Sequence, residues 1–301
     1  MTESPSYCGY VAIVGRPNVG KSTLLNYLLR QKLSITSRKP QTTRHRILGI
    51  NSSEHHQCVL VDTPGLHKSG GKALNQAMNE TVHNVIRDVD LILFVVERLA
   101  FNAGDERVLE RLKSVKVPVI LVINKVDLLK DKAALLPHIE KLARLGDFSA
   151  IVPLSALGGH NIGRLLVLIR QNLPAGPFLF PEDQLTDRSS RFLAAELIRE
   201  KITRQLGDEL PYDATVEIER FQKDGDVLHI HGLVLVDKAG QKRILVGKEG
   251  DRLKQIGKAA REDMEKAFDS RVMLNLWVKV RSGWADDQRA LKSMGYLDQE
   301  Q

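Results

Sequence analysis

Apolar runs and helical patterns alternate along the first half of the chain. The runs that predict strands are 10–14, 46–51, 57–62, 90–97, 117–123 and 150–154. The stretches with helical spacing are 21–30, 72–87, 103–114, 131–145 and 161–172. Because strands alternate with helices and several strands are apolar throughout, this pattern predicts an α/β domain. Its mostly parallel, doubly wound sheet would be covered on both faces.

The pattern changes at a segment rich in proline. Residues 172–181 read NLPAGPFLFP, and prolines at this density end the preceding helix and prevent another. We therefore predict a first domain over residues 1–173, a linker over 174–188 and a second domain over 189–301. The prolines make the linker a candidate for transmitting changes between the domains.

The second domain has an α+β pattern. Two alternating runs meet at a Lys-Asp-Gly-Asp turn, which is typical of a hairpin. After them we predict a strand end that runs into Gly247 and then an amphipathic helix that reaches Phe268. The other elements predicted here are a helix at 189–205 and strands at 214–221, 227–236 and 272–280.

The composition is that of a globular chain with a positive balance. The 301 residues carry 44 Lys and Arg against 37 Asp and Glu, a formal net charge of +7, which favours a polyanionic partner. No apolar run reaches the ~20 residues of a membrane span. The start, MTESPSY, lacks a signal pattern, and Cys8 and Cys58 are too few for a disulfide framework. We therefore expect a cytoplasmic protein.

The stretch Gly15–Ser22, GRPNVGKS, has the spacing of a phosphate-binding loop between a strand and a helix. Its glycines let successive backbone N–H groups turn toward one anion, and the helix N-terminus adds partial positive charge. Lys21 would neutralise the outer phosphates, and Ser22 would offer its hydroxyl to Mg²⁺. The residues predicted to line this site are Gly15, Arg16, Pro17, Asn18, Val19, Gly20, Lys21, Ser22 and Thr23.

A second motif, DTPG, follows the strand that ends near residue 61. Asp62 can hold Mg²⁺, usually through water, and Gly65 lets a backbone N–H approach a terminal phosphate. The same residue types also form ordinary turns, so this motif alone leaves both readings open. The candidates here are Asp62, Thr63, Pro64, Gly65 and Leu66.

Two more motifs follow later strands and concern a purine base. The Asp127 carboxylate can accept two hydrogen bonds from the N1–H and the exocyclic amine of guanine, whereas adenine would leave it unpaired. A backbone N–H in the second motif, Ser-Ala-Leu, could reach the guanine carbonyl. Each could also be a surface turn. The candidates are Asn124, Lys125, Val126, Asp127, Ser155, Ala156 and Leu157.

The four motifs, in this order and each after a strand, resemble the GTPase superfamily. The resemblance implies GTP and GDP as ligands, with Mg²⁺. Such GTPases close a mobile loop onto the metal through a threonine, and the basic stretch 34–46, SITSRKPQTTRHR, fits that loop. Thr43 is favoured over Thr42 as this threonine, a loop without ligand contact being the alternative. The stretch 67–72 fits the second switch, and the implied metal ligands are Ser22, Thr43 and Asp62.

One departure from the best-known GTPases concerns hydrolysis. Leu66 stands where those enzymes often carry a glutamine that orients the attacking water, so slow intrinsic hydrolysis is expected. Asn18 resembles the asparagine of GTPases that bind K⁺, and such a cation would stabilise developing charge. K⁺ is therefore a hypothesis beside Mg²⁺. The residues expected to act in hydrolysis are Asn18, Lys21, Thr43 and Gly65.

The second domain carries a GKEG loop before a helix, and it resembles a KH RNA-binding domain of bacterial-type topology. Residues 238–261 hold eight Lys and Arg against two Asp and Glu. Glycines at a helix start allow close approach to a phosphodiester, although Glu249 opposes phosphate. A packing turn is the alternative. The predicted RNA-binding residues are Gly247, Lys248, Glu249, Gly250, Arg252, Lys254 and Lys258.

The two halves together resemble the Era family of bacterial ribosome-assembly GTPases. This resemblance implies binding to the 3′ end of 16S ribosomal RNA and a role in maturation and assembly of the small ribosomal subunit. It also implies a cytoplasmic monomer with weak peripheral contact to the inner membrane. The alternatives are a GTPase of tRNA modification, which would carry a different partner domain, a membrane-associated regulatory GTPase, and a binding protein whose nucleotide site is only structural.

Overall fold

The computed structural model describes residues 5–37, 39, 41–65, 73–206, 214–294 and 296. The chain forms two compact units. The first comprises Met1–Ser34, Thr43–Ser69 and Met78–Asp187, and the second comprises Ile35–Thr42, Gly70–Ala77 and Arg188–Gln301. Within the described residues no helix is long and apolar enough to cross a membrane.

The first unit is built on a single sheet. Its strands are β1 Tyr7–Val14, β2 Ile47–Ser53, β3 His56–Asp62, β4 Leu91–Glu97, β5 Val119–Asn124 and β6 Ala150–Pro153. They lie in the order β2-β3-β1-β4-β5-β6, and only the β2–β3 pairing is antiparallel. The predicted mostly parallel sheet is therefore confirmed.

Helices connect these strands and bury the apolar runs. Their bounds are α1 Lys21–Leu29, α2 Ala73–Arg87, α3 Ala103–Leu112, α4 Leu135–Ala143 and α5 Ile162–Gln171. Strand β4 is buried from Leu91 to Val96, because a parallel strand covered on both faces must be apolar on both. Strands β3, β4 and β5 end in Asp62, Glu97 and Asn124, at the edge of the sheet where the carboxyl ends of the parallel strands meet.

Residues 174–186, here called the strap, pair with the first unit. The backbone N–H of Ile50 donates to the Leu185 carbonyl at 2.9 Å, and Cys8 N–H donates to the Pro174 carbonyl at 3.0 Å. The buried Gln57 side chain accepts from the Phe180 N–H at 3.0 Å and donates to the Phe180 carbonyl at 2.8 Å. The segment expected as a linker is thus hydrogen-bonded along one unit.

The second unit combines a three-stranded sheet with helices. Its elements are α6 Ser190–Gln205, β7 Ala214–Asp224, β8 Val227–Val236, α7 Ala239–Val246, α8 Asp251–Phe268, β9 Arg271–Val280 and α9 Gln288–Ser293. Strand β8 pairs antiparallel with β7 and parallel with β9. The predicted hairpin is confirmed, and Gly225 supplies the positive φ of its turn, 56°.

One sequence prediction in this unit is wrong. The residues before Gly247 were expected to end a strand, but they form helix α7, which ends at Val246. The apolar residues Ile244 to Val246 favour a strand locally. The helix prevails because Leu245 is buried in the apolar core of this unit, so the glycine loop joins two helices.

Candidate nucleotide site and nucleic-acid interface

The loop that follows β1 lies tightly against the ends of neighbouring strands. Gly15 has φ +156°, and a Cβ there would lie 2.4 Å from the Val95 carbonyl oxygen. Gly20 has φ +100°, and a Cβ there would lie 2.3 Å from Asn124 Nδ2. Both positions therefore require glycine, and the loop delivers its backbone N–H groups to the start of α1.

Lys21 is the first residue of α1, and its ammonium group lies over the loop. Its Nζ donates to the Gly15 and Arg16 carbonyls, each at 3.1 Å. Burial lowers the pKa of Lys21 to about 8, against the opposing attraction of Asp62. A phosphate oxygen entering the loop would meet this poorly solvated cation directly, which is the condition for a strong charge-assisted contact.

The three predicted metal ligands converge on one point. Ser22 Oγ donates to Asp62 Oδ2 at 2.7 Å, and Thr43 Oγ1 lies 2.8 Å from Ser22 Oγ. Thr43 Oγ1 also donates weakly to Asp62 Oδ2, at 3.4 Å. Thr42, the alternative to Thr43, directs its hydroxyl instead to the Lys39 carbonyl at 2.6 Å.

These residues suit a hard divalent cation. Asp62 is fully buried, and its Oδ1 has no hydrogen-bond partner among the described residues. Burial raises the pKa of Asp62, while Lys21 and the surrounding hydroxyls oppose that rise. One carboxylate with two hydroxyls is too small a set to enclose a metal. It fits Mg²⁺, which keeps waters and takes its remaining ligands from a bound triphosphate.

Ser34 belongs to the same cluster and was not predicted. Its buried Oγ donates to Asp62 Oδ2 at 2.8 Å. The Asn26 side chain fixes it in place, accepting from Ser34 N–H at 2.9 Å and donating to the Ser34 carbonyl at 2.7 Å. No sequence motif includes Ser34. Its contact with Asp62 depends on Asn26 of α1, which holds the Ser34 backbone in position.

Asn124 ties the base motifs to the phosphate loop. Its Nδ2 donates to the Val19 carbonyl at 2.8 Å, and its Oδ1 accepts from Ala156 N–H at 2.9 Å. The structure thus brings three of the four motifs together through one side chain. This role is structural, because both ends of the amide are engaged by the protein.

Lys125 links the base motif to a pair of acidic residues that sequence reasoning missed. Its Nζ donates to the Asn18 carbonyl at 2.7 Å and lies 3.1 Å from Glu97 Oε1. The other oxygen of Glu97 pairs with Arg16 at 2.9 Å, and Arg16 Nε pairs with buried Asp105 at 3.0 Å. Burial acts to raise the pKa of Glu97, but Lys125 and Arg16 hold it below its usual range. Glu97 could have been predicted as a site residue from its position at the end of β4, where the other motifs also follow strands.

The remaining motif residues divide between anchoring and exposed positions. Thr63 is buried and donates to the Ile13 carbonyl at 2.9 Å. Gly65 lies against Pro17, where a Cβ would come within 2.8 Å of the ring nitrogen. Asp127 is exposed in the 3₁₀ turn Val126–Leu128, and Leu157 is 81% exposed. Leu66 and the predicted second switch, 67–72, lie outside the described residues.

The glycine loop of the second unit has a very different setting. Gly247 and Gly250 have φ +75° and +82°, and Glu249 between them also has a positive φ, 51°. The predicted basic residues are exposed around this loop and along the start of α8: Lys248, Arg252, Lys254 and Lys258. They form a cationic surface beside a helix N-terminus, which suits a phosphodiester chain.

Comparison with known proteins decides the family. Residues 10–125 match the model described as "50S ribosome-binding GTPase", and residues 209–285 match the KH domain model. GTPase Era of Ectopseudomonas mendocina (strain ymp) is 60% identical over 299 residues, which cover 99% of this chain and 100% of that protein. The chain belongs to the Era family of GTPases. Its first unit therefore carries a GTPase domain and its second a KH domain.

Two solved Era structures are similar over nearly the whole chain. One is an Aquifex aeolicus Era variant bound to GDP·AlF4⁻, with a TM-score of 0.93. The other is Era in complex with MgGDPNP and nucleotides 1506–1542 of 16S ribosomal RNA, with a TM-score of 0.94. Each is 39% identical and is matched over 97% of this chain and 99% of its own. The likeness to Era thus extends from the phosphate loop to the KH domain.

Proposed function

We propose that this Era GTPase is a GTP-driven switch that binds the 3′ end of 16S ribosomal RNA and acts in maturation and assembly of the small ribosomal subunit. The observation that carries the proposal is the full-length likeness to Era in complex with MgGDPNP and 16S nucleotides. The cluster of Ser22, Thr43 and Asp62 and the exposed lysines around the GKEG loop support the proposal.

GTP would bind across the carboxyl edge of the first sheet. The phosphate loop and Lys21 would hold the phosphates, and Ser22, Thr43 and Asp62 would hold Mg²⁺. The metal would neutralise charge on the β- and γ-phosphates. The unpartnered Oδ1 of Asp62 and the converging hydroxyls support this assignment.

Guanine would be selected at the far side of the same edge. Asp127 would accept the N1–H and the amine, and a backbone N–H of the motif at residues 155–157 would reach the carbonyl. The Glu97 network would hold Lys125 beside the base. Intrinsic hydrolysis would be slow, since Leu66 cannot orient water. A K⁺ ion at Asn18 is part of this proposal, because Asn18 resembles the asparagine of GTPases that bind K⁺.

RNA would bind the second unit. A single-stranded segment would run past Gly247 and Gly250, with its phosphates near the exposed lysines of α8. The protein would work as a cytoplasmic monomer with weak peripheral membrane contact. A tRNA-modification GTPase is disfavoured by the KH domain match at residues 209–285.

One experiment tests the proposal directly. We would titrate the full chain, loaded with Mg²⁺ and a non-hydrolysable GTP analogue, into a synthetic RNA with the sequence of 16S nucleotides 1506–1542. The same titration with GDP and with a scrambled RNA gives the controls. We expect tight binding of the 16S sequence in the GTP-analogue state. Equal affinity for the scrambled RNA would contradict the proposal.

The K⁺ hypothesis has its own measurement. Replacing K⁺ by Na⁺ at constant ionic strength should slow GTP hydrolysis several-fold, because the larger ion suits a site made of Asn18 and backbone carbonyls. An unchanged rate would reduce Asn18 to a loop-shaping residue.

A further inference from the structure

Helix α6 of the second unit buries a row of charged side chains. Charged groups are almost never fully buried unless they are paired, so each of these must be held by a specific partner. The buried residues of the row are Glu196, Arg199, Glu200 and Lys201, none more than 8% exposed. Their partners lie in two places within the second unit.

The first place is helix α8, which begins at the GKEG loop. Lys201 Nζ forms an ion pair with the Asp263 carboxylate of α8 and lies 3.2 Å from Glu200 Oε2. Asp263 is about 18 Å along α8 from its first residue, at 1.5 Å per residue. One end of the charged row is therefore attached to the helix that carries the proposed RNA-binding lysines.

The second place is the segment 35–42, which is part of the second unit. Glu200 Oε1 accepts from the Thr36 N–H at 2.9 Å. Arg204 pairs with the same carboxylate oxygen at 3.0 Å and donates to the Thr36 carbonyl at 2.9 Å. Side chains of α6 thus hold both the backbone N–H and the backbone carbonyl of Thr36.

The same segment is held again at its other end. Arg199 is fixed by Glu196, whose two oxygens each accept one of its N–H groups at 2.6 Å. From this position Arg199 Nη2 donates to the Thr42 carbonyl. The next residue in the chain is Thr43, whose hydroxyl lies at the candidate metal site.

We propose that the charged row of α6 is the physical link between the segment 35–42, which immediately precedes Thr43, and the RNA-binding helix α8. Glu200 is the centre of this link, because one of its carboxylate oxygens serves Thr36 and Arg204 while the other serves Lys201. In this structure Thr43 lies at the metal site while these bonds are formed. When loss of the γ-phosphate releases Thr43, the bonds to Thr36 and Thr42 loosen, and the Lys201–Asp263 ion pair weakens with them. Glu200, Lys201 and Arg204 are positioning residues in this scheme.

The inference rests on the proposed function, in which GTP and RNA binding are linked. It replaces the proline-rich joint as the route of that linkage, since the strap is hydrogen-bonded along the first unit. By reciprocity, RNA binding at α8 should change the affinity for GTP relative to that for GDP by the same factor.

The test measures a coupling ratio. This is the RNA dissociation constant of the GDP-bound full chain divided by that of the chain bound to a GTP analogue, with the 16S-sequence RNA as probe. We expect a ratio of about five or more for the natural chain. Asp263→Asn removes the charge that pairs with Lys201 on the α8 side. Arg204→Gln removes the guanidinium that contacts Glu200 and the Thr36 carbonyl on the side of the segment 35–42. Each should bring the ratio to within about two-fold of one, while GTP-analogue affinity stays the same.

The matched control is Glu262→Gln. It removes the same charge from the same helix one residue away, at an exposed position, and should keep the full ratio. The double variant Asp263→Asn with Arg204→Gln should lose no more coupling than either single variant, because both act through one row. The Arg204 side chain is 46% exposed, so Arg204→Gln decides the matter if Asp263→Asn does not fold.

The outcomes are distinct. A ratio of one in the natural chain contradicts the proposed linkage and this route with it. A full ratio in folded Asp263→Asn and Arg204→Gln variants overturns the route alone and leaves the GTPase and RNA-binding functions standing. An equal loss of the coupling ratio in Glu262→Gln would show that the net charge of α8 causes the effect. That result would also overturn the proposed route.

Discussion

The loop Gly15–Ser22 and the loop Gly247–Gly250 both place glycine backbone at the start of a helix, yet their surroundings differ. In the first loop a Cβ at Gly20 would meet Asn124 at 2.3 Å. In the second a Cβ at Gly250 would have nothing within 4 Å. The first loop is enclosed by the ends of neighbouring strands. The second meets only the helix that follows it, where a Cβ at Gly247 would lie 2.8 Å from Arg252 Cβ.

This difference matches the size of each ligand. A nucleotide phosphate is compact, so its loop can surround it and use a buried lysine of lowered pKa. A nucleic acid strand extends past its site, so its loop must remain accessible and rely on screened surface charge. We therefore expect substitutions in the first loop to have larger effects than substitutions in the second.

The largest effect is expected for Lys21→Met. It removes the buried ammonium from the phosphate loop and should weaken GTP binding about a thousand-fold, since several charge-assisted contacts are lost together. Calorimetric titration with Mg²⁺ and a GTP analogue measures this loss. The exposed Lys113→Met serves as control and should bind normally, and a loss under ten-fold for Lys21→Met would remove the contrast between the loops.

The next effect concerns the base. Asp127→Asn should weaken GTP binding about 100-fold, because the amide presents a donor to the guanine N1–H. Xanthosine triphosphate reverses the polarity at the base edge and should recover affinity in this variant. Competition titrations with GTP, xanthosine triphosphate and ATP measure the change, and recovery with ATP would refute the assigned role of Asp127.

A smaller effect is expected at the loop Gly247–Gly250. Gly250→Asp adds a negative charge where phosphate would pass and should weaken binding of the 16S-sequence RNA about ten-fold, with GTP binding unchanged. Gly225→Asp is the matched control, because Gly225 also has a positive φ and open space around its Cα. If both variants lost RNA affinity equally, the GKEG loop would not be the contact.

The smallest effect is expected at the acidic residue of that loop. Glu249→Gln removes a carboxylate that repels phosphate and should raise RNA affinity about two-fold at low salt. The gain should shrink as salt rises, which a titration series over KCl concentration would show. A gain that persists at high salt would indicate a hydrogen bond from the new amide instead of relieved repulsion.

The sequence predicted the parts of the molecule that depend on local pattern. Parallel strands covered on both faces must be apolar, so their positions were visible, and the motif residues at their ends followed. Ser34 and Glu97 were missed because each acts through a partner distant in the chain, Asp62 for one and Arg16 for the other. Helix α7 was missed because β-branched residues at its end favour a strand until the core packing of Leu245 is known.

The strap has a consequence for preparing the GTPase domain alone. Phe178 and Phe180 pack against the main apolar core of the first unit, and Gln57 is satisfied by their neighbouring backbone. A recombinant fragment that ends at Leu173 would expose that apolar surface and leave the buried Gln57 side chain without its hydrogen bonds to residues 179 and 180. Both changes favour aggregation during expression. A fragment that ends at Asp187 keeps both covered and should be the soluble one.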